Sequence, residues 1–356
     1  SWRSIMSEFK VNTITNEDGS YGPQVCGITT FGSSGIKLPS GPTEFRGGRG
    51  KGLIAGGNGA SDSNMEEIDV INIASLGNSQ SFGNLTEGRR DAGAVSSSTR
   101  AVFAAGGYPS PTTTMDYTIF SSGGGANDFG EYAISLFQPA GASNNVRGIF
   151  AGGVKPSPTL GYVEIEFITI PTTGNSDNFG SLSSDRWAAA GVTNGIRAIF
   201  GGGNGLITSL TNLIEFVTIS TLGDAQTFGN LSATNRNLMG ASNNTRGIFA
   251  GGRTSPSSPY SFVNTIEYIT MSTSGNTTDF GDLTLIKVRG AGISSSVRAV
   301  FAGGEGDSPF PRLNTIDFVT ISSTGNAADF GDLAGASDDT RSSAPGASDV
   351  HGGLTE

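Results

Sequence analysis

The chain has 356 residues, 55 of them Gly, with 35% hydrophobic and 15% charged residues and a formal net charge of −10. No Lys/Arg cluster offsets that charge, which argues against nucleic acid as a partner, and no apolar run approaches the ~18 residues of a membrane span. One cysteine, Cys26, leaves no internal disulfide, and one histidine, His351, argues against a His-based zinc site or a Ser-His-Asp triad.

In chain order, Val11-Asn12-Thr13-Ile14 opens as a strand and leads to a second at Phe31-Gly32. Phe-Gly then recurs at Phe82, Phe129, Phe179, Phe228, Phe280 and Phe330, with gaps of 51, 47, 50, 49, 52 and 50 residues. A period near fifty marks one supersecondary unit copied along the chain. An acid stands thirteen residues before each Phe (Asp18, Asp69, Asp116, Glu166, Glu215, Glu267, Asp317). An arginine stands eighteen residues after the first six (Arg49, Arg100, Arg147, Arg197, Arg246, Arg298), and a Gly-Gly follows it.

The unit is clearest between residues 263 and 304. Val263–Met271 is rich in β-branched and aromatic residues and predicts a strand; Ser274-Gly275-Asn276 is a turn. Thr277–Leu283, carrying Phe280-Gly281, predicts a second strand, and the small residues of Arg289–Ser294 a third. Arg298–Gly304 holds a continuous apolar run, as expected of a strand covered on both faces. Four short antiparallel strands per fifty residues describe one blade of a β-propeller, whose two apolar faces need neighbouring blades.

The apolar run ending in Gly-Gly, as in Arg246-Gly-Ile-Phe-Ala-Gly-Gly252, resembles the kelch repeat, in which the diglycine closes the second strand of each blade. The resemblance implies an all-β, kelch-like propeller of four-stranded blades over residues 9–346, between an extension at 1–8 and a tail at 347–356. Six diglycine strands against seven Phe-Gly strands predict seven blades, the last built half from each terminus. In that reading Gly335–Arg341 supplies a first strand and Ser342–Gly346 a degraded second one. A six-bladed ring is the alternative.

The repeated acids and arginines read as structural pairs within each blade, the arginine at the start of the second strand facing the acid on the third. His351, in a Gly- and Ser-rich segment, reads as solvated, and Asp-Phe-Gly at Asp128, Asp279 and Asp329 as part of the repeat. No residue set calls for a cofactor or metal. Length variation concentrates between the diglycine and the next acid, in the loops joining second to third strands. Recognition usually resides in such loops. Tyr108, Tyr162, Tyr260, Phe262, Phe310 and Arg312 lie there and are the candidate binding residues.

A narrower resemblance rests on Glu8–Asn16, Asp18–Phe31 and Leu38–Glu44, which are similar to the opening of virion proteins of tailed marine phages. Those proteins continue into repeats like Thr273–Leu283. The resemblance implies a non-enzymatic tail or tail-fibre component on the virion exterior. Its partners would be other virion proteins and a host-surface glycan or receptor. The alternatives are a glycan-processing enzyme, which needs non-repeated acids in the central funnel, and a cellular kelch-type adaptor.

Overall fold

The computed structural model describes residues 31–32, 35–36, 50–59, 61–156, 158–206, 209–334 and 340–354, in two compact units, Ser1–Gly47 and Gly48–Glu356. In the first, Phe31–Gly32 pairs antiparallel with Gly35–Ile36. The predicted strand at Val11–Ile14, together with Asp18, Cys26 and Arg49, lies outside the described residues.

The second unit is an all-β propeller of six four-stranded antiparallel sheets, not seven. From the inner strand outward, blade 2 is Gly93–Ser96, Arg100–Ala104, Thr114–Ile119 and Asn127–Glu131. Blade 3 is Ala140–Ser143, Arg147–Ala151, Glu164–Thr169 and Asp177–Ser181; blade 4 is Ala190–Thr193, Arg197–Gly201, Leu213–Thr218 and Gln226–Asn230. Blade 5 is Met239–Ser242, Arg246–Ala250, Thr265–Thr270 and Thr278–Asp282; blade 6 is Ala291–Ser294, Arg298–Ala302, Thr315–Thr320 and Ala328–Asp332. Blade 1 takes Lys51–Ala55, Glu67–Asn72 and Gln80–Asn84 from the start of the ring and its inner strand, Gly346–Ser348, from the end.

That clasp explains the blade count. Blade 1 lacks only an inner strand, which Gly346-Ala347-Ser348 supplies by pairing Ser348 with Gly52 and Gly346 with Ile54. The Asp349 carboxylate fastens the junction, accepting from the Gly50 and Lys51 amides at 2.8 and 2.9 Å. Arg341–Ser342, expected at the end of a first strand and the start of a second, pairs instead with Asn58–Gly59. Gly335–Ser337, expected as a first strand, lies outside the described residues.

The Phe-Gly signature is a bulge. Between third and outer strands the register shifts at the acid, so that Ile165 faces Gly180 and Glu166 faces Asn178, leaving Phe179 as the extra residue. Its ring meets Phe167 edge-on with centroids 6.0 Å apart, and the same contact recurs in blades 2, 4, 5 and 6. Gly180 (φ +157°) must be glycine, since a Cβ there would fall on the Gly223 carbonyl of the next blade.

The core is distributed. Six apolar clusters each join two consecutive blades; one unites Ile54, Ile71 and Ile73 of blade 1 with Val300, Ala302 and Ile316 of blade 6 and so closes the ring. No blade owns a core, which is why the sheets stack.

Candidate functional site

The repeated acids sort out first, because they decide what is left for function. The six described ones, Asp69, Asp116, Glu166, Glu215, Glu267 and Asp317, are buried, but their partners are not the repeated arginines. Asp116 meets Arg89 at 2.6 Å, Asp317 meets Lys287 at 3.1 Å, Asp69 meets Arg341 at 3.3 Å, and Glu215 is paired with Arg186. These cations sit in the connector just before the inner strand. Burial pushes Arg186 and Lys287 down and Asp116 up, against the pull of their partners.

The arginines that open the second strands do something else. Arg147 lies over the Phe167 ring of its own blade, 5.0 Å from the centroid, and donates to the Ile219 carbonyl of the next blade at 2.9 Å. Arg100, Arg197, Arg246 and Arg298 repeat both contacts. In blade 1 the same task falls to Lys51, which donates to the Phe120 carbonyl at 2.6 Å. They are latches between blades, and the expected pairing is corrected.

Two blades lack the cation. In blade 3 its position is Leu136, and Glu166 takes hydrogen bonds from Tyr162 Oη and Ser176 Oγ, both at 3.3 Å. Burial raises this carboxyl above the usual range. In blade 5 the position is Asn235, which donates to the Gly251 carbonyl, while Glu267 accepts from Thr277 Oγ1 and the Ser232 amide. These acids all hold blades together.

The inner strands line an axial channel. Near one end runs a belt of hydroxyls, Ser96, Ser143, Thr193, Ser242, Ser294 and Ser348, five of which reach round to a neighbouring blade's carbonyl at 2.7–3.1 Å. Only small side chains fit: a Cβ at Gly141 would fall on the Ala94 carbonyl, and one at Gly191 on that of Gly141. The turn after Ser348 covers this end. His351 Nε2 lies 3.0 Å from the Ser96 carbonyl and 3.3 Å from Ser143 Oγ, and Leu354 is buried. The expectation of a solvated His351 is therefore corrected, and burial lowers its pKa to about 4.

The other end of the channel is open and rimmed by a collar. Asp91, Gln138, Ala188, Asn237, Arg289 and Ser343, one per blade, all have left-handed backbones, with φ between 55 and 59°. Each amide donates to the preceding member's carbonyl, and Asp91 closes the circle onto Ser343, with N···O distances of 2.7–3.2 Å. The backbone is six-fold regular and the side chains are all different. Together they guard a cavity of about 160 Å³. Sequence reading missed this collar, because a position that differs in every copy carries no repeat signal. Its cue was its fixed place, three residues before Ala94, Gly141, Gly191, Gly240, Gly292 and Gly346 of the small-residue strands.

The variable loops rise on the same face, tied to the collar connectors by bridges such as Arg236 to Arg253 and Val288 to Glu305. Here the predicted residues divide. Tyr260, Phe262 and Phe310, from blades 5 and 6, form one cluster with centroids 5.5–6.2 Å apart. Tyr260 is 41% and Phe310 39% exposed, and Arg253 packs over Tyr260 at 4.2 Å. Arg312 donates to Asp62 at 2.8 Å; Asp62 also receives Arg90 at 3.0 Å, and Arg90 lies 3.7 Å from the Tyr108 centroid. Those bonds, Asn58's first, hold the Asp62 carboxyl below its usual range. Tyr162 stands apart, half-buried in blade 3 with its hydroxyl on Glu166, and its position is explained by packing.

No family model matches the sequence, and no curated protein matches it. Solved structures do: one described as "Structure of YjhT" superposes with a TM-score of 0.64 at 11% identity, covering 79% of this chain and 95% of that one. At that identity the likeness shows the propeller fold alone.

Proposed function

We propose that the ring is a kelch-like, non-enzymatic recognition module of a phage tail or tail fibre, which turns its loop face toward a host-surface glycan or protein. The observation that carries this reading is the Tyr260–Phe262–Phe310 cluster. Three aromatic rings from two blades stand together and partly exposed, on loops that do not repeat, beside Arg253 and the Arg312–Asp62–Arg90 network. Rigid rings offer contact area at little entropic cost, and a sugar ring or a protein side chain can stack on them. The phage assignment is supported by the N-terminal resemblance of Glu8–Glu44.

The test has two arms. Antibody labelling of purified particles in negative stain is expected to decorate the tail; label confined to host cells would overturn the virion assignment. The isolated ring on an array of host polysaccharides and envelope proteins is expected to give a signal that Tyr260→Ala with Phe310→Ala abolishes. A signal indifferent to that double change would remove the cluster from the binding surface.

A further inference from the structure

The collar is expensive to build and unused by the reading above. A left-handed backbone is disfavoured for an L-residue by crowding at Cβ, and glycine escapes that penalty. This chain has 55 glycines and uses them at positive φ in every diglycine turn, yet places none at the six collar positions. Side chains have therefore been kept where bare backbone would be cheaper, a pattern typical of functional sites.

The side chains kept are informative. Round the ring the order is Asp91, Gln138, Ala188, Asn237, Arg289, Ser343, so Asp91 and Arg289 stand two places apart with Ser343 between them. They form no ion pair with each other. Asp91 receives Gln138 Nε2 on one oxygen at 2.8 Å, and its other oxygen has no hydrogen-bond partner. Arg289 is in the same condition. Its one carboxylate contact is a loose ion pair with Glu305 at 3.7 Å, beyond hydrogen-bond range, and its side chain is 37% exposed. A cation and an anion with unspent hydrogen-bonding capacity thus line one small cavity. Arg89, Arg186 and Lys287, by contrast, hold their carboxylates at close range in the blades.

A ligand that satisfies both groups carries a carboxylate and an ammonium close together. The cavity of about 160 Å³ has room for a small one. We propose that the mouth of the axial channel binds a free α-amino acid, Arg289 taking the carboxylate and Asp91 the ammonium, with Ser343 and Asn237 as neutral hydrogen-bonding neighbours. Entry is from the collar face, because the His351–Leu354 turn covers the far end.

Calorimetric titration of the full chain with glycine and both enantiomers of serine tests this, against propionate and ethylamine as analogues bearing one charge. At least one amino acid should bind about tenfold or more tightly than either analogue. Arg289→Asn and Asp91→Asn should each weaken that binding by about tenfold or more, with an unchanged melting temperature, because asparagine accepts the left-handed backbone. Tyr260→Ala should leave it untouched, which separates this site from the loop-face reading. Propionate binding as well as serine would make the mouth a plain anion site and overturn the proposal. So would absence of heat with every amino acid at tens of millimolar, or indifference to both asparagine variants.

Discussion

Blades 3 and 4 have the same four strands and the same buried glutamate, and they accommodate it in opposite ways. Blade 4 brings up a guanidinium, Arg186 on Glu215, with both side chains about 1% exposed. Blade 3 has Leu136 where that arginine would be and, four residues earlier, Tyr132 where blade 4 has Leu182. The Tyr132 ring packs edge-on against Phe150 at 5.7 Å, bringing aromatic bulk into a blade that lacks the guanidinium, and Glu166 is left to hydroxyl donors. Pairing costs desolvation of two charges; doing without costs a proton affinity raised by burial. The lesson is that the repeat preserves volume and hydrogen-bonding capacity more strictly than charge.

The harshest way to break this contrast is Arg186→Leu, which gives blade 4 the leucine of blade 3 without its tyrosine. Stranding Glu215 should cost roughly 3–5 kcal/mol in urea unfolding; adding Leu182→Tyr should recover part of it. A loss under about 1 kcal/mol would mean that Glu215 had no need of its partner.

Next in size is the pair Glu215→Gln and Glu166→Gln. The first leaves Arg186 buried and unpaired and should be strongly destabilising. The second should be neutral or stabilising at pH 7, with a pH signature. Because burial raises the Glu166 carboxyl in the folded state, this group's contribution is fully present below the ordinary glutamate value of 4.5. It is lost as pH rises through the raised value. Parent and Glu166→Gln stability curves should therefore diverge above pH ~4.5 in favour of the variant. Parallel curves would refute the unpaired state of Glu166.

The smallest effect is Tyr162→Phe, which removes one hydroxyl donor from Glu166 and should cost about 1 kcal/mol. That loss should shrink in the Glu166→Gln background; strict additivity would show that the two groups do not act together.

The propeller was legible because its determinants repeat. The Phe-Gly bulge, the diglycine turn and the small inner strand each recur at fixed spacing, and sterics allow few substitutes. The blade count was not, because it turned on three residues, Gly346-Ala347-Ser348, while the same tripeptide at 335–337 offered an earlier match. The acid's partner was misread for a related reason. The arginine at constant offset was the visible one, while the true position reads Arg89, Leu136, Arg186, Asn235, Lys287 and Arg341, variable because several chemistries satisfy one buried carboxylate. The aromatic loop residues were found by type and place. That Tyr162 serves packing was hidden, since only the structure sets it beside an acid without a cation.

The strand Gly346–Ser348 joins residues made nearly three hundred positions apart, as with Asp349 on Gly50. A ribosome delivers blades 2 to 6 in order, but the ring cannot shut until Gly346–Ser348 has emerged. Until then Leu53 and Ile54 border an unfilled seam, a sticky edge that a second nascent copy could occupy. Closure by so remote a piece makes folding slow and, once finished, hard to undo, because no single blade can peel away without first releasing the seam.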